Sequence, residues 1–113
     1  MSVYVDDMRA PFGRLVLCHM LADSDEELHE MADRIGLARK WWQSPIKTSG
    51  SHYDIALSKR SLAVDAGAIE ITMRQAAAMN ARRRITGVLG PADDALSWLR
   101  EYRAVRNTAG EPS

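Results

Sequence analysis

The chain is poor in cysteine, in phenylalanine and in excess charge of either sign. Its 113 residues hold one Cys and one Phe, and 15 Lys+Arg balance 15 Asp+Glu, so the formal net charge is zero with the three His neutral. One thiol forms no internal disulfide, which excludes a stapled secreted scaffold. No apolar run approaches the roughly 20 residues that span a bilayer, so no membrane partner is expected. Residues Met1 to Asp7 lack a basic segment followed by an apolar one, so no secretory signal is expected and the location expected is cytoplasmic. What is present, 46% hydrophobic and 27% charged residues, is the composition of a folded domain rather than a disordered chain. The length corresponds to a single domain, expected over 1–106, with a polar, disordered tail at 107–113.

The zero net charge hides an asymmetry. Residues 1–57 carry nine acids and six bases, and residues 58–113 carry nine bases and six acids. The simplest reading is attraction within the fold or between subunits. A strong nucleic-acid binder carries positive charge overall, which speaks against nucleic acid as a partner.

Val3-Tyr4-Val5, stopped by Asp6-Asp7, reads as a strand, and Arg9 to Gly13 as a loop. Leu15 to Leu21 is short and nearly all apolar, as in a strand buried on both faces. Ser24-Asp25-Glu26-Glu27 fits a capping box, Leu28, Met31, Ala32 and Ile35 follow at helical spacing, and Gly36 closes the helix. Leu37 to Gln43 suits a strand and Ser44 to Ser51 a loop. Ser58 opens a second helix, with Leu62, Ala63 and Ala66 inward and Gly67 at its end. Ala68 to Ile71 alternates as a strand, and Thr72-Met73-Arg74-Gln75 is a second capping box. Pro91 suits the first turn of a last helix, in which Ala95, Leu96, Trp98, Leu99, Tyr102 and Val105 form an apolar stripe. The expected fold class is α/β: a small mixed, partly parallel sheet of three to five strands with about four helices, near 25–36, 58–66, 73–83 and 92–105.

Val3-Tyr4-Val5-Asp6-Asp7, His19 with Ala22-Asp23, Glu27-Leu28-His29, Ile35-Gly36-Leu37, Trp42-Gln43, His52-Tyr53-Asp54, and Lys59-Arg60 with Gly67-Ala68 together resemble a bacterial and phage family known as domain of unknown function 4031, over about residues 3–75. The resemblance implies a small bacterial or phage-encoded protein, acting in the host cytoplasm in the latter case, and supplies no reaction. Family members often carry Trp-Ser-His where this chain has Leu17-Cys18-His19, so the His matches and the aromatic does not.

Two constellations could carry chemistry. Asp6, Asp7, His19, Asp23, His52 and Asp54 combine carboxylates at strand ends with imidazoles, the ingredients of a divalent metal site, Mg or Mn. Asp6, Asp7 and Asp23 are the metal-ligand candidates: Asp6-Asp7 at the carboxyl end of its strand, where α/β sheets bind ligands, and Asp23 with His19 beside it if their strand runs parallel to the first. His52, Asp54 and His19 are the catalytic candidates. Against this stands the reading that Asp6 and Asp23 cap turns and His19 is a hydrogen-bonded core residue. The second constellation is Ser58-Lys59-Arg60, two cations in the first turn of a helix, against the dipole. A bound anion would relieve that conflict, with Tyr53 and Trp42 beside it. The alternative is that both cations face solvent or pair with acids. His29 and Asp33 suit a surface helical pair, and Cys18 an inert buried thiol.

The functional expectation is recognition of a phosphate-bearing or other small anionic ligand, extending to metal-dependent hydrolysis or phosphoryl chemistry. Two alternatives stand beside it. One is a protein-interaction module that forms a homo-oligomer through the 92–105 helix. The other is a helix-turn-helix-like DNA binder in which Arg74, Gln75, Asn80 and Arg82-Arg83-Arg84 would read bases, and it requires residues 68–72 not to be a strand.

Overall fold

A computed structural model describes residues 2–45 and 50–110. Its strands are β1 (Val3–Val5), β2 (Ala10–Phe12), β3 (Leu15–Ala22), β4 (Trp42–Gln43), β5 (His52–Ala56) and β6 (Ile69–Glu70). Its α-helices are α1 (Asp25–Arg34), α2 (Leu57–Asp65), α3 (Met73–Thr86) and α4 (Ala95–Gly110), and a 3-10 turn covers Arg39–Trp41. The sheet order is β4-β5-β3-β1-β6, with β2 beside the outer half of β3. Only β1–β6 is parallel among the described pairings; the others are antiparallel. The sheet is therefore mixed and the class α/β, with a sixth strand where Arg9 to Gly13 suggested only a loop. That strand, β2, tolerates Pro11 because it lies at the sheet edge, and Gly13 at φ +60° turns the chain into β3.

Strand side chains alternate, and the alternation builds two cores. Val3, Val5, Cys18, Met20, Tyr53 and Ile55 pack with Leu28 and Met31 of α1, with Ile35 at its C-cap, and with Ala63 of α2. On the other face, Tyr4 and Leu21 pack with Ala76 and Met79 of α3 and with Ala95 and Leu99 of α4. Only the second half of β3 is buried on both faces; Leu15 and Val16 are exposed in the hairpin with β2. Leu62 is exposed as well, because α2 turns only Ala63 fully inward.

Local capping agrees with the sequence. Ser24 Oγ accepts from the Glu27 amide, and Thr72 with Gln75 forms a complete reciprocal box. The last helix departs from expectation at both ends. It begins at Ala95 rather than near Pro91, because the buried Arg82 guanidinium holds the preceding segment as a loop. Its Nε donates to the Leu89 carbonyl (2.8 Å), one terminal nitrogen to the Pro91 carbonyl, and the other to Asp94 (2.9 Å). At the far end α4 continues to Gly110, so residues 107–110 of the expected tail are helical, and 111–113 lie outside the described residues. Four of the six stripe residues, Ala95, Leu96, Trp98 and Leu99, pack into the core shared with α3; Trp98 also stacks on Tyr102, and Val105 is exposed.

The helix-turn-helix alternative is overturned by β6. Tyr4 and Val5 pair with Ile69 and Glu70, and the Ile71 amide donates to the Val5 carbonyl at 2.9 Å. Residues 69–71 are thus extended where that motif needs helix and turn. β3 also runs antiparallel to β1. Asp23 therefore lies beside Ser2 at the opposite end of β1 from Asp6, about 13 Å away at the usual strand rise.

Candidate metal centre

His52 and Asp54 stand two residues apart on β5, so the strand period places both on the face that looks toward α3. His19 is the register partner of Asp54 across the β3–β5 ladder and shares that face. Cys18 points the other way, into the α1/α2 core, where burial pushes its thiol up to about 11, so it is inert as expected. Asp6 follows β1 directly and is fully buried behind His19.

Three side-chain atoms converge. His52 Nε2 lies 3.4 Å from Asp54 Oδ1, and His19 Nε2 lies 3.8 Å from the same oxygen. All three fall within 4.8 Å of one another. Tetrahedral coordination at zinc–ligand distances of about 2.0–2.1 Å places donors roughly 3.3 Å apart, so a small contraction would close this set on one ion.

Hydrogen bonding decides what those atoms carry. His52 Nδ1 is 2.7 Å from the Gly50 carbonyl, which only accepts, so Nδ1 bears the proton. His19 Nδ1 is 2.6 Å from Asp6 Oδ2, an ionised carboxylate, and donates likewise. When the rings are neutral, as metal ligation requires, Nε2 of each is a lone pair aimed toward Asp54. Asp54 Oδ2 accepts from Gln43 Nε2 at 2.6 Å, whereas Oδ1 is buried and has no hydrogen-bond partner among the described residues. The 3.4 Å approach of His52 is therefore close but not aligned as a hydrogen bond. Two imidazole nitrogens and a carboxylate oxygen, each held from behind, form the donor arrangement of a two-histidine, one-carboxylate metal site.

In the metal-free chain the His52 ring beside it, as a donor and a positive charge, holds the Asp54 carboxyl below its ordinary range, ahead of the opposing effect of burial, so a metal ion would compete with protons for the two rings. Burial raises the Asp6 carboxyl, but hydrogen bonds from the His19 ring and amide outweigh it and leave Asp6 acidic. The bond to Asp6 in turn raises His19 above an ordinary imidazole.

Helix α3 forms the opposite wall. A cleft of about 180 Å³ separates His19 and His52 from Met73, Ala76, Ala77 and Asn80. Farther along the helix, Arg83 donates to Asn80 Oδ1 (2.8 Å), to the Ser51 carbonyl (3.3 Å) and to the Ala22 carbonyl (3.2 Å). Gly50 lies so close that an added Cβ would sit 2.6 Å from Asn80 Oδ1. Asn80 and Arg83 thus hold the backbone that fixes the His52 tautomer.

Other residues from the sequence reading serve the fold. Asp7 accepts from the Met73 amide (2.7 Å) and caps α3, and Asp23 accepts from the Ser2 amide (2.8 Å); neither joins the cluster as a metal ligand. Asp6 joins it only through His19. Lys59 donates to the Ile35 carbonyl at the end of α1 (2.9 Å). Arg60 donates to the Asp6 carbonyl (3.0 Å) and to Glu70 (2.8 Å). The two cations that stand against the α2 dipole are therefore occupied, one by the negative end of another helix. Ser58 is exposed at the start of α2. Tyr53 is fully buried and its hydroxyl meets His29 Nδ1 at 2.7 Å, so it faces no ligand, and His29 is no surface partner of Asp33. Trp42 donates to Ser51 Oγ at 2.9 Å and packs its ring against His29. Gln43, Asn80 and Arg83 carry no signal in their local sequence that would mark them as supports of the site.

Asp6→Asn tests the support behind His19. Asp6 Oδ1 accepts from the amides of His19 (2.8 Å) and Met8 (3.2 Å), and Oδ2 accepts from the ring. Asn has one acceptor oxygen for these two places, so its NH2 favours the His19 tautomer with the proton on Nε2. Zinc affinity, measured by competition with a chelator, is expected to fall roughly 10–100-fold. Unchanged affinity would separate Asp6 from the site.

The family described as "Protein of unknown function (DUF4031)" matches residues 3–83. This span includes all six strands, His19, His52, Asp6, Asp54, Asn80 and Arg83, and the chain belongs to that family. No curated protein and no solved structure matches it.

Proposed function

We propose that this member of the DUF4031 family is a mononuclear metal protein that binds one divalent transition ion through His19 Nε2, His52 Nε2 and Asp54 Oδ1, and that it hydrolyses a phosphate-bearing substrate there. The observation that carries the metal reading is the buried Asp54 oxygen, without a hydrogen-bond partner among the described residues, facing two imidazoles whose other nitrogens are both committed as donors. Leaving such a group buried costs about 1–3 kcal/mol, and a cation removes the cost. Two nitrogen donors favour zinc, iron or manganese over magnesium, which prefers oxygen ligands and retains its waters. Three protein ligands leave a coordination position open, and an ion so held supplies hydroxide near neutral pH and neutralises developing anionic charge. Asp6 keeps His19 in the ligating tautomer, and α3 shields one side of the cleft from water.

Calorimetric titration of chelator-stripped protein with Zn²⁺ or Mn²⁺ is expected to give one site per chain and a rise in melting temperature, since the ion binds the native state; acidification weakens binding by protonating the imidazoles. Absence of heat and of thermal shift with Zn²⁺, Mn²⁺ and Fe²⁺ at millimolar concentration would leave Asp54 as the partner of a protonated His52 and overturn the reading.

A further inference from the structure

One side of α3 closes the cleft opposite the triad. Met73, Ala76, Ala77 and Asn80 recur there at helical spacing, and Leu21 joins them from β3. Four of these five side chains are apolar and offer a substrate no hydrogen bond; Asn80 does. Its Oδ1 meets a terminal nitrogen of Arg83 at 2.8 Å. A guanidinium only donates, so the amide atom it meets is the oxygen, and the orientation of the amide is fixed. Gly50 crowds that same end: an added Cβ would lie 2.6 Å from Oδ1 and 2.8 Å from Cγ, with Nδ2 farther away. Nδ2 is therefore the end left over. It makes no hydrogen bond with any described residue, and it is not sealed from solvent. Apart from the two imidazoles, it is the side-chain N–H donor among the described residues that line the cleft.

We infer that Asn80 Nδ2 is a catalytic donor, giving its hydrogen bond to a non-bridging oxygen of the phosphate group held at the metal centre; this deepens the function proposed above and rests on it. Such an oxygen only accepts, which matches an amide whose accepting end is already taken. The donor is set before substrate arrives. Arg83 also donates to the carbonyls of Ser51 and Ala22, so the group that orients the amide is itself anchored to two backbone segments. A donor fixed in advance needs no reorganisation as charge develops, the condition under which one hydrogen bond contributes most to rate. In the hydrolysis, the oxygen of water adds to phosphorus and the bond to the leaving oxygen breaks. The leaving group departs with the bonding pair, and one proton passes to solvent. The non-bridging oxygens carry negative charge throughout, and Nδ2 meets one of them from the side opposite the triad. Asn80 thus has two ends with two tasks: Oδ1 holds Arg83, and Nδ2 touches substrate.

The test compares Asn80→Asp with Asn80→Leu, both saturated with zinc. Asp keeps the acceptor for Arg83 and loses the donor; Leu loses both and adds no charge. Inorganic phosphate is titrated calorimetrically at high salt, which screens the charge of the new carboxylate. Both variants are expected to bind phosphate about tenfold or more weakly than wild type. Both are expected to lose roughly 100–1,000-fold in kcat toward bis(p-nitrophenyl) phosphate. Zinc affinity and melting temperature of Asn80→Asp are expected to be no lower than wild type, because the bond to Arg83 survives. A side chain that only positions Arg83 predicts the opposite pattern, with Asn80→Asp like wild type and Asn80→Leu alone impaired, and that result would overturn the inference. A loss confined to Asn80→Asp would overturn it as well, since repulsion and not a missing donor would then be the cause. The wild-type protein on the same samples separates the proposals. Zinc uptake with phosphate affinity unchanged in both variants overturns the role of Asn80 alone. Zinc uptake without any phosphate affinity overturns the phosphate reading, and no zinc uptake overturns the metal centre.

Discussion

Asp54→Asn is expected to abolish metal binding without weakening the metal-free fold. The substitution keeps the size of the side chain and keeps an oxygen for the Gln43 amide, which now reaches Oδ2 at 2.6 Å. It replaces the buried Oδ1, which has no hydrogen-bond partner among the described residues, by an NH2 group that faces the Nε2 atoms of two imidazoles. At a pH where both rings are neutral, that exchange in the metal-free protein turns a repulsive arrangement into a donor with acceptors, so the melting temperature there is expected to stay level or rise. Toward metal the same exchange removes the anionic ligand. Zinc affinity is expected to fall more than about 100-fold, beyond the range for groups that act only through a ligand. The thermal gain from zinc, about 4 kcal/mol at a thousandfold excess over the dissociation constant, disappears with it. A site that costs stability when empty and is repaired by removing its function differs from a structural ion pair, whose loss destabilises. Retained zinc affinity in Asp54→Asn, or a large drop in its metal-free melting temperature, would contradict this account.

Arg82→Met is expected to produce the largest loss of stability in the chain. Arg82 is buried and serves the carbonyls of Leu89 and Pro91 together with Asp94, fixing the turn from α3 to α4. Its guanidinium also lies over the Trp98 ring, 5.8 Å from the centroid. Methionine fills part of the volume but leaves the carbonyls without donors. The exposed Asp94 contributes little. Losing the rest is expected to cost about 3 kcal/mol or more, a fall of roughly 12 °C or more in melting temperature for a domain of this size. Gly90→Ala strikes the same contact from the other side: its φ is +72°, and an added Cβ would lie 2.6 Å from the guanidinium carbon. Chemical denaturation of both variants checks the argument. Zinc affinity of folded Arg82→Met is expected to stay near wild type, because Arg83 and not Arg82 reaches the Gly50–Ser51 segment.

Much of this was legible where a rule of period or capping applies. Ser24 with Glu27, and Thr72 with Gln75, announced two helices from side-chain chemistry alone, and both caps form. The pattern His52-Tyr53-Asp54 places two polar groups on one strand face and an aromatic on the other, so a shared location for His52 and Asp54 follows once β5 is a strand. Pairing was not legible. That His19 faces Asp54 depends on the β3–β5 register, and that Asp23 is remote from Asp6 depends on β3 running antiparallel to β1. Lys59 and Arg60 misled because their conflict with the α2 dipole is resolved by the Ile35 carbonyl and by Asp6, both distant in sequence. Pro91 misled because Arg82, nine residues earlier, holds it in a loop. Each error involves a tertiary partner that no local window contains.

X-ray absorption spectroscopy of the zinc-loaded protein addresses the central claim at the atoms concerned. Nitrogen and oxygen neighbours at about 2.0–2.1 Å, with the distant scattering of two imidazole rings that drops to one ring in His52→Ala, are the expected result. A sulfur neighbour near 2.3 Å, or a spectrum without imidazole scattering, would place the ion elsewhere and contradict the assignment of His19, His52 and Asp54 as its ligands.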